Sequence, residues 1–166
     1  MNNFTVKFLD PFNKEEQTIR GLRDHKIIEE FSNIPWHENI MEVYYSHHNV
    51  SRNKEERYVY NDYCCFVIEV FHSGKKQIIN MVPNYAMDTD FSEKDVRFSI
   101  EYMRSKKVKT SRFERFFGAA QEKEDPSYMT HIKDITFEET IKIMNNFIEY
   151  EFHILEKSIL NEGYLY

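Results

Sequence analysis

Apolar positions along the chain switch between a period of two and a period near 3.6, and the switches predict its elements. In residues 4–9, FTVKFL, the apolar side chains alternate well enough for a short strand, which Asp10-Pro11 ends. Ile27, Ile28, Phe31 and Ile34 recur at helical spacing, so a helix is expected over residues 24–33, ending before Pro35. Residues 40–45, IMEVYY, read as a strand, and the polar residues 51–57 as a loop. Residues 58–71 and 77–82 are rich in β-branched and aromatic side chains and predict a hairpin near residues 58–82. Its turn falls at residues 72–75, where Gly74 can supply a positive φ. Val96, Phe98, Ile100 and Tyr102 alternate with Arg97, Ser99, Glu101 and Met103, the pattern of a half-buried strand, and residues 129–135 suggest another. Thr136 and Glu139 form a capping box. Ile141, Met144, Ile148, Phe152, Leu155 and Ile159 then make one stripe, predicting a long C-terminal helix that stops at Gly163. The expected class is α+β: an antiparallel sheet packed on by that long helix and the shorter N-terminal one. With no repeat and no shift in composition, residues 1–166 read as a single domain.

Composition narrows the function. Fourteen Phe and eleven Tyr stand against four Gly and four Pro, and 30% of residues are charged, which argues for a folded chain. Two cysteines make no disulfide framework and point to a reducing compartment. The N-terminus lacks the basic and apolar regions of a signal peptide, and no apolar run approaches the roughly 20 residues that span a bilayer. A cytoplasmic protein without a membrane partner is expected. The net charge of −6 disfavours nucleic acid and favours a basic partner. Residues 104–115 run against this trend, with six basic residues and one acid, a net +5 that leaves −11 outside them. A nucleic-acid-binding protein would use Arg104, Lys106, Lys107, Lys109, Arg112 and Arg115, interleaved with Phe113, Phe116 and Phe117. A solvated hairpin loop whose cations pair with acidic neighbours is the simpler expectation.

Candidate chemistry is sparse. Cys64 and Cys65 are adjacent in a predicted strand, so they point to opposite faces and cannot ligate one metal together. Each reads as a small buried hydrophobe. His47-His48 has neither the spacing of a helical metal site nor that of a strand. The sequence contains no nucleophile elbow, P-loop or dinucleotide fingerprint. Glu69 interrupts an apolar strand; an edge position, or a partner such as Arg97, is preferred over a buried acid-base role. No enzyme activity, metal or cofactor is expected, although Glu69, His47, His48 and Cys65 would be the candidates if there were one.

The order of parts then carries a resemblance. An N-terminal strand and helix lead to Ile34-Pro35-Trp36 and an aromatic hairpin. SIEYMRSKKVKTSRFERFFG follows at 99–118, then the acidic stretch 122–125 and the helix at 135–159. This arrangement resembles the small immunity proteins paired with bacterial polymorphic toxins, including those of contact-dependent growth inhibition. The resemblance implies a non-enzymatic inhibitor that occludes a cognate toxin domain, often a nuclease, in the cytoplasm. A phage- or plasmid-encoded inhibitor of a host nuclease is the alternative within binding proteins. Partner specificity is best placed on loops. The expected interface is the acidic loop of Glu122, Glu124 and Asp125 together with Glu55 and Glu56, with Tyr60 and Tyr128 as aromatic anchors. The outer face of the C-terminal helix, with Glu138, Lys142, Asn145, Glu149 and Glu156, is expected to stay wet.

Overall fold

Strands β1 (Phe4–Leu9), β2 (Gln17–Leu22), β3 (Cys65–His72), β4 (Lys75–Tyr85), β5 (Val96–Lys109) and β6 (Glu122–Ile135) form a six-stranded antiparallel sheet. Its order is β2-β1-β3-β4-β5-β6. The computed structural model describes residues 4–47, 59–85, 91–118 and 122–161. Helices α1 (Asp24–Ser32) and α2 (Trp36–His47) connect β2 to the segment before β3. Helix α3 (Arg112–Phe116) lies between β5 and β6, and α4 (Phe137–Ile148) and α5 (Phe152–Asn161) close the chain. The α+β class is as expected.

The period-two pattern decides which face of the sheet is covered. Phe4, Val6, Phe66, Ile68, Val70, Ile79, Met81, Phe98, Ile100 and Ile132 enter one apolar cluster with Ile27, Phe31, Trp36, Met144, Phe147 and Leu155 from the helices. Phe31 sits between the layers, with ring centroids 5.0 Å from Trp36, 5.4 Å from Phe66, 5.3 Å from Phe98 and 5.6 Å from Phe137. Burying one such ring contributes about 1.5–3 kcal/mol, so this residue alone fixes much of how α1 seats against the sheet. Both cysteines are buried, and only Cys64 joins that cluster. The hairpin turn lies where predicted, with Ser73 at φ 51° and Gly74 at φ 75°.

Several expectations need correction. Residues 40–45 are helical within α2: Trp36, Asn39 and Val43 bury at helical spacing behind Pro35, and that period prevails over their strand propensity. The hairpin strand begins at Cys65, so residues 59–64 precede it as irregular chain. The sequence reading placed no element at β2, which lies at an edge with nearly every residue exposed and so shows no buried alternation.

The long C-terminal helix is two short ones. After Ile148 the chain closes with Glu151 N–H donating to Asn146 O at 2.8 Å and Tyr150 N–H to Phe147 O at 3.2 Å. This is a Schellman ending with Tyr150, at φ 60°, where glycine is usual. Its ring lies 4.9 Å from His72 and 5.7 Å from both Phe4 and Phe152, and this packing offsets the strain of the left-handed backbone. The helix start is as predicted: Thr136 Oγ1 accepts from Glu139 N–H at 3.2 Å, and the Glu139 carboxylate accepts from Thr136 N–H at 2.8 Å. Glu156 is not on the wet face, because it turns inward to Arg104 and Lys106.

Candidate functional site

The acidic stretch is strand, not loop, and this changes what its charges do. In the β5–β6 register Lys106 lies opposite Asp125, Lys107 opposite Glu124 and Lys109 opposite Glu122, so each acid chosen as a partner contact faces a lysine of its own chain. Glu124 also accepts from Lys75 and Ser105, and the Lys75 ammonium holds its carboxyl below the ordinary range. Tyr128 is half-buried, with the Arg104 guanidinium 4.9 Å and the Lys106 ammonium 5.0 Å from its ring centre. Thus 104–115 is not a free loop; it forms the end of β5 and the cap of a charge-laddered arm.

Tyr60 is half exposed and sits elsewhere, its backbone N–H bonded to Pro11 O at 2.8 Å. Pro11 stands two residues after Leu9, which pairs with Cys65. The register carries that end of the sheet through Tyr85 and Val96, away from the end where Lys109 meets Glu122. Tyr60 and the three acids of β6 therefore occupy opposite ends of the sheet. Glu55 and Glu56 lie outside the described residues.

The negative charge is concentrated in the helices. Elements α1, α2, α4, α5 and the break at 149–151 contain ten carboxylates against Lys26, Lys142 and Lys157, a net −7 in a chain of net −6. At one end of this layer, the starts of α2 and α4 and the turn before β5 enclose a cleft of about 610 Å³. Ile34, Trp36, Val96 and Phe137 give it apolar walls, and Glu38, Glu93 and Glu138 stand around it with Lys94 and Arg97. All three of these glutamates are exposed. Trp36 is fixed by a hydrogen bond from its indole Nε1 to Phe31 O at 3.1 Å. His37 Nδ1 lies 2.7 Å from the Tyr85 hydroxyl, whose pKa burial pushes up to about 12. An apolar cleft bordered by three carboxylates and two cations can take an apolar or aromatic side chain flanked by polar or charged groups.

No family model, curated protein or solved structure matches this chain.

The other residues singled out for chemistry have structural surroundings. Burial raises the Cys64 thiol to about 12 and the Cys65 thiol to about 11. Glu69 lies on the central strand β3 rather than at an edge. Its partners are Lys7 at 3.2 Å and Lys76 at 3.0 Å, not Arg97, which donates to the carbonyls of Lys94 and Val96. Burial alone would raise the Glu69 carboxyl, but the two lysines outweigh it and hold it below its ordinary range. His47 Nε2 is 3.6 Å from Asp62, and His48 lies outside the described residues. Among the described residues no three His, Cys, Asp or Glu side chains converge as a metal site would need. Part of the helix-layer charge was readable, since Glu29, Glu30, Glu138 and Glu139 fall in predicted helices, whereas Glu38 and Glu42 belong to the helix that the strand reading of 40–45 missed. What sequence could not supply was that these helices lie on one side of the sheet.

Proposed function

We propose that the protein acts by binding: it is an inhibitor that docks on a basic toxin domain, of nuclease type, and occludes its active site. The observation that carries this reading is the segregation of charge, with a net −7 on the helix layer and the cleft at its end. Such a surface steers a basic partner and accepts one of its apolar or aromatic side chains at the centre, while the acidic rim fixes orientation. The arrangement of parts that resembles immunity proteins supports the same reading independently of charge. The nucleic-acid alternative is disfavoured because the cations at 106, 107 and 109 each face a carboxylate across the hairpin.

The test is capture of the product encoded immediately upstream, followed by stopped-flow association against salt. Glu38→Lys with Glu93→Lys and Glu138→Lys should slow association at least tenfold at low salt and flatten its salt dependence. The matching β6 set, Glu122→Lys with Glu124→Lys and Asp125→Lys, should slow it less. If only the β6 set slows association, the interface lies on the hairpin instead. If neither set does and no basic partner is captured, the binding reading fails.

A further inference from the structure

The last rungs of the β5–β6 ladder continue past the end of the β4–β5 pairing at Ile78–Met103, and α3 caps them. On this cap Phe113, Phe116 and Phe117 are 72%, 85% and 71% exposed. Their rings touch each other, with centroids 4.9 Å apart for Phe113 and Phe117 and 5.5 Å for Phe116 and Phe117. One exposed phenylalanine is ordinary, but three in contact form an apolar patch that soluble surfaces normally avoid. The cluster does not line the cleft described above, and its high exposure leaves it open to a partner surface. The same arm carries the exposed cations Lys107, Lys109 and Arg115; Lys107 and Lys109 stand opposite Glu124 and Glu122 in the strand register, while Arg115 lies on the cap itself. The carboxylates nearest in sequence are Glu114, Glu122 and Glu124, the last already engaged by Lys75 and Ser105.

We propose that this tip is a peripheral anchor for anionic lipid: the three phenylalanines enter the interface and the cations of the same arm meet the headgroups. An exposed apolar cluster needs an acceptor that deforms around it, which a bilayer does. Exposed lysines and an arginine beside an apolar cluster suit a diffuse negative surface better than a shaped pocket. The net −7 of the helix layer is repelled by such a surface, so the molecule approaches tip first. That no helix among the described residues is long and apolar enough to cross a membrane has no bearing on a surface anchor. This inference does not depend on the proposed toxin partner. One short anchor gives weak, reversible binding rather than permanent attachment.

The experiment is co-sedimentation of the full chain with vesicles of phosphatidylcholine alone and of an equal mixture with phosphatidylserine. The intact protein should bind the mixed vesicles at low salt and release as salt rises. Phe113→Ser with Phe116→Ser and Phe117→Ser should lower partitioning at least tenfold with an unchanged circular-dichroism melt, since these side chains contribute little to the core. Lys109→Gln with Arg115→Gln should lower it roughly fivefold per cation and weaken the salt dependence. A Phe117→Trp reporter should shift its emission to the blue on the mixed vesicles only. No binding of the intact chain to the mixed vesicles at low salt overturns the proposal, as does equal binding by the triple serine variant. If vesicles are ignored while the same phenylalanines are needed to capture the upstream product, the cluster fits a socket on a protein and the lipid assignment is wrong.

Discussion

Glu156→Gln should destabilise the protein more than Arg104→Met, although Arg104 is by far the more buried of the two. Arg104 is 4% exposed, its guanidinium 4.4 Å from the Tyr102 ring centre and 4.9 Å from that of Tyr128. It donates to Thr130 Oγ1 at 2.8 Å and Tyr102 O at 3.2 Å and pairs with Glu156, while its Nη2 has no partner. Neutralising Glu156 leaves this cation buried without a counter-charge, an error that costs about 3–5 kcal/mol in a fully buried pair. The Glu156 side chain is 27% exposed, so the expected loss is about 2–3 kcal/mol, or a melting point lower by about 5–10 °C. Arg104→Met removes the cation together with its desolvation cost and its orphaned Nη2, keeps an apolar stem between the rings, and leaves Glu156 paired with Lys106 at 3.1 Å. Its expected cost is below about 1.5 kcal/mol. Urea unfolding followed by circular dichroism at neutral pH measures both. A larger loss for Arg104→Met than for Glu156→Gln would refute the view that the buried charge, rather than the hydrogen bonds, dominates this site.

Three further outcomes follow from the same geometry. Burial raises the Glu69 carboxyl and hydrogen bonds from Lys76 and Lys7 more than reverse this, so its folded pKa lies below the unfolded value of about 4.3. Its contribution is then present above that pH and lost as pH falls through the folded pKa. Glu69→Gln should cost about 1 kcal/mol at neutral pH, and the gap from the parent should close under acid, which parallel melts would show. Thr136→Ala removes the cap acceptor of α4 and should cost about 1 kcal/mol in urea titrations; a neutral result would mean that the Glu139 carboxylate suffices alone. With thiols at about 12 and about 11, both cysteines should resist a thiol reagent at pH 8 in the native state and react promptly in urea. Fast labelling of native protein would show that the β3 region opens readily.

The elements whose pattern repeats on one buried face were legible from sequence. The alternation of Val96, Phe98, Ile100 and Tyr102, the turn at Gly74 and the capping box at Thr136 each record a local rule that the tertiary structure leaves intact. The break at Tyr150 was not legible, because neither glycine nor proline marks it. A stripe that continues in sequence as far as Ile159 is interrupted by a backbone turn that only the rings of Phe4, His72 and Phe152 make favourable. Residues 40–45 misled for a related reason, since a short run with five apolar or aromatic residues around Glu42 suits either period, and burial of Trp36, Asn39 and Val43 decides between them.

Charge shows the same division. The sequence by itself determined the totals, −6 overall and a basic run at 104–115, because net charge depends only on composition. It also led to the expectation that Cys64 and Cys65 diverge, and only Cys64 enters the core cluster, although the strand itself begins at Cys65. Which charges cancel was decided by the tertiary structure alone. Antiparallel pairing sets Lys106, Lys107 and Lys109 against Asp125, Glu124 and Glu122, while α1, α2, α4 and α5, far apart in the chain, bring their carboxylates to one side of the sheet. Electrostatic interaction depends on distance in space, and strand register and layer packing set that distance between residues far apart in sequence.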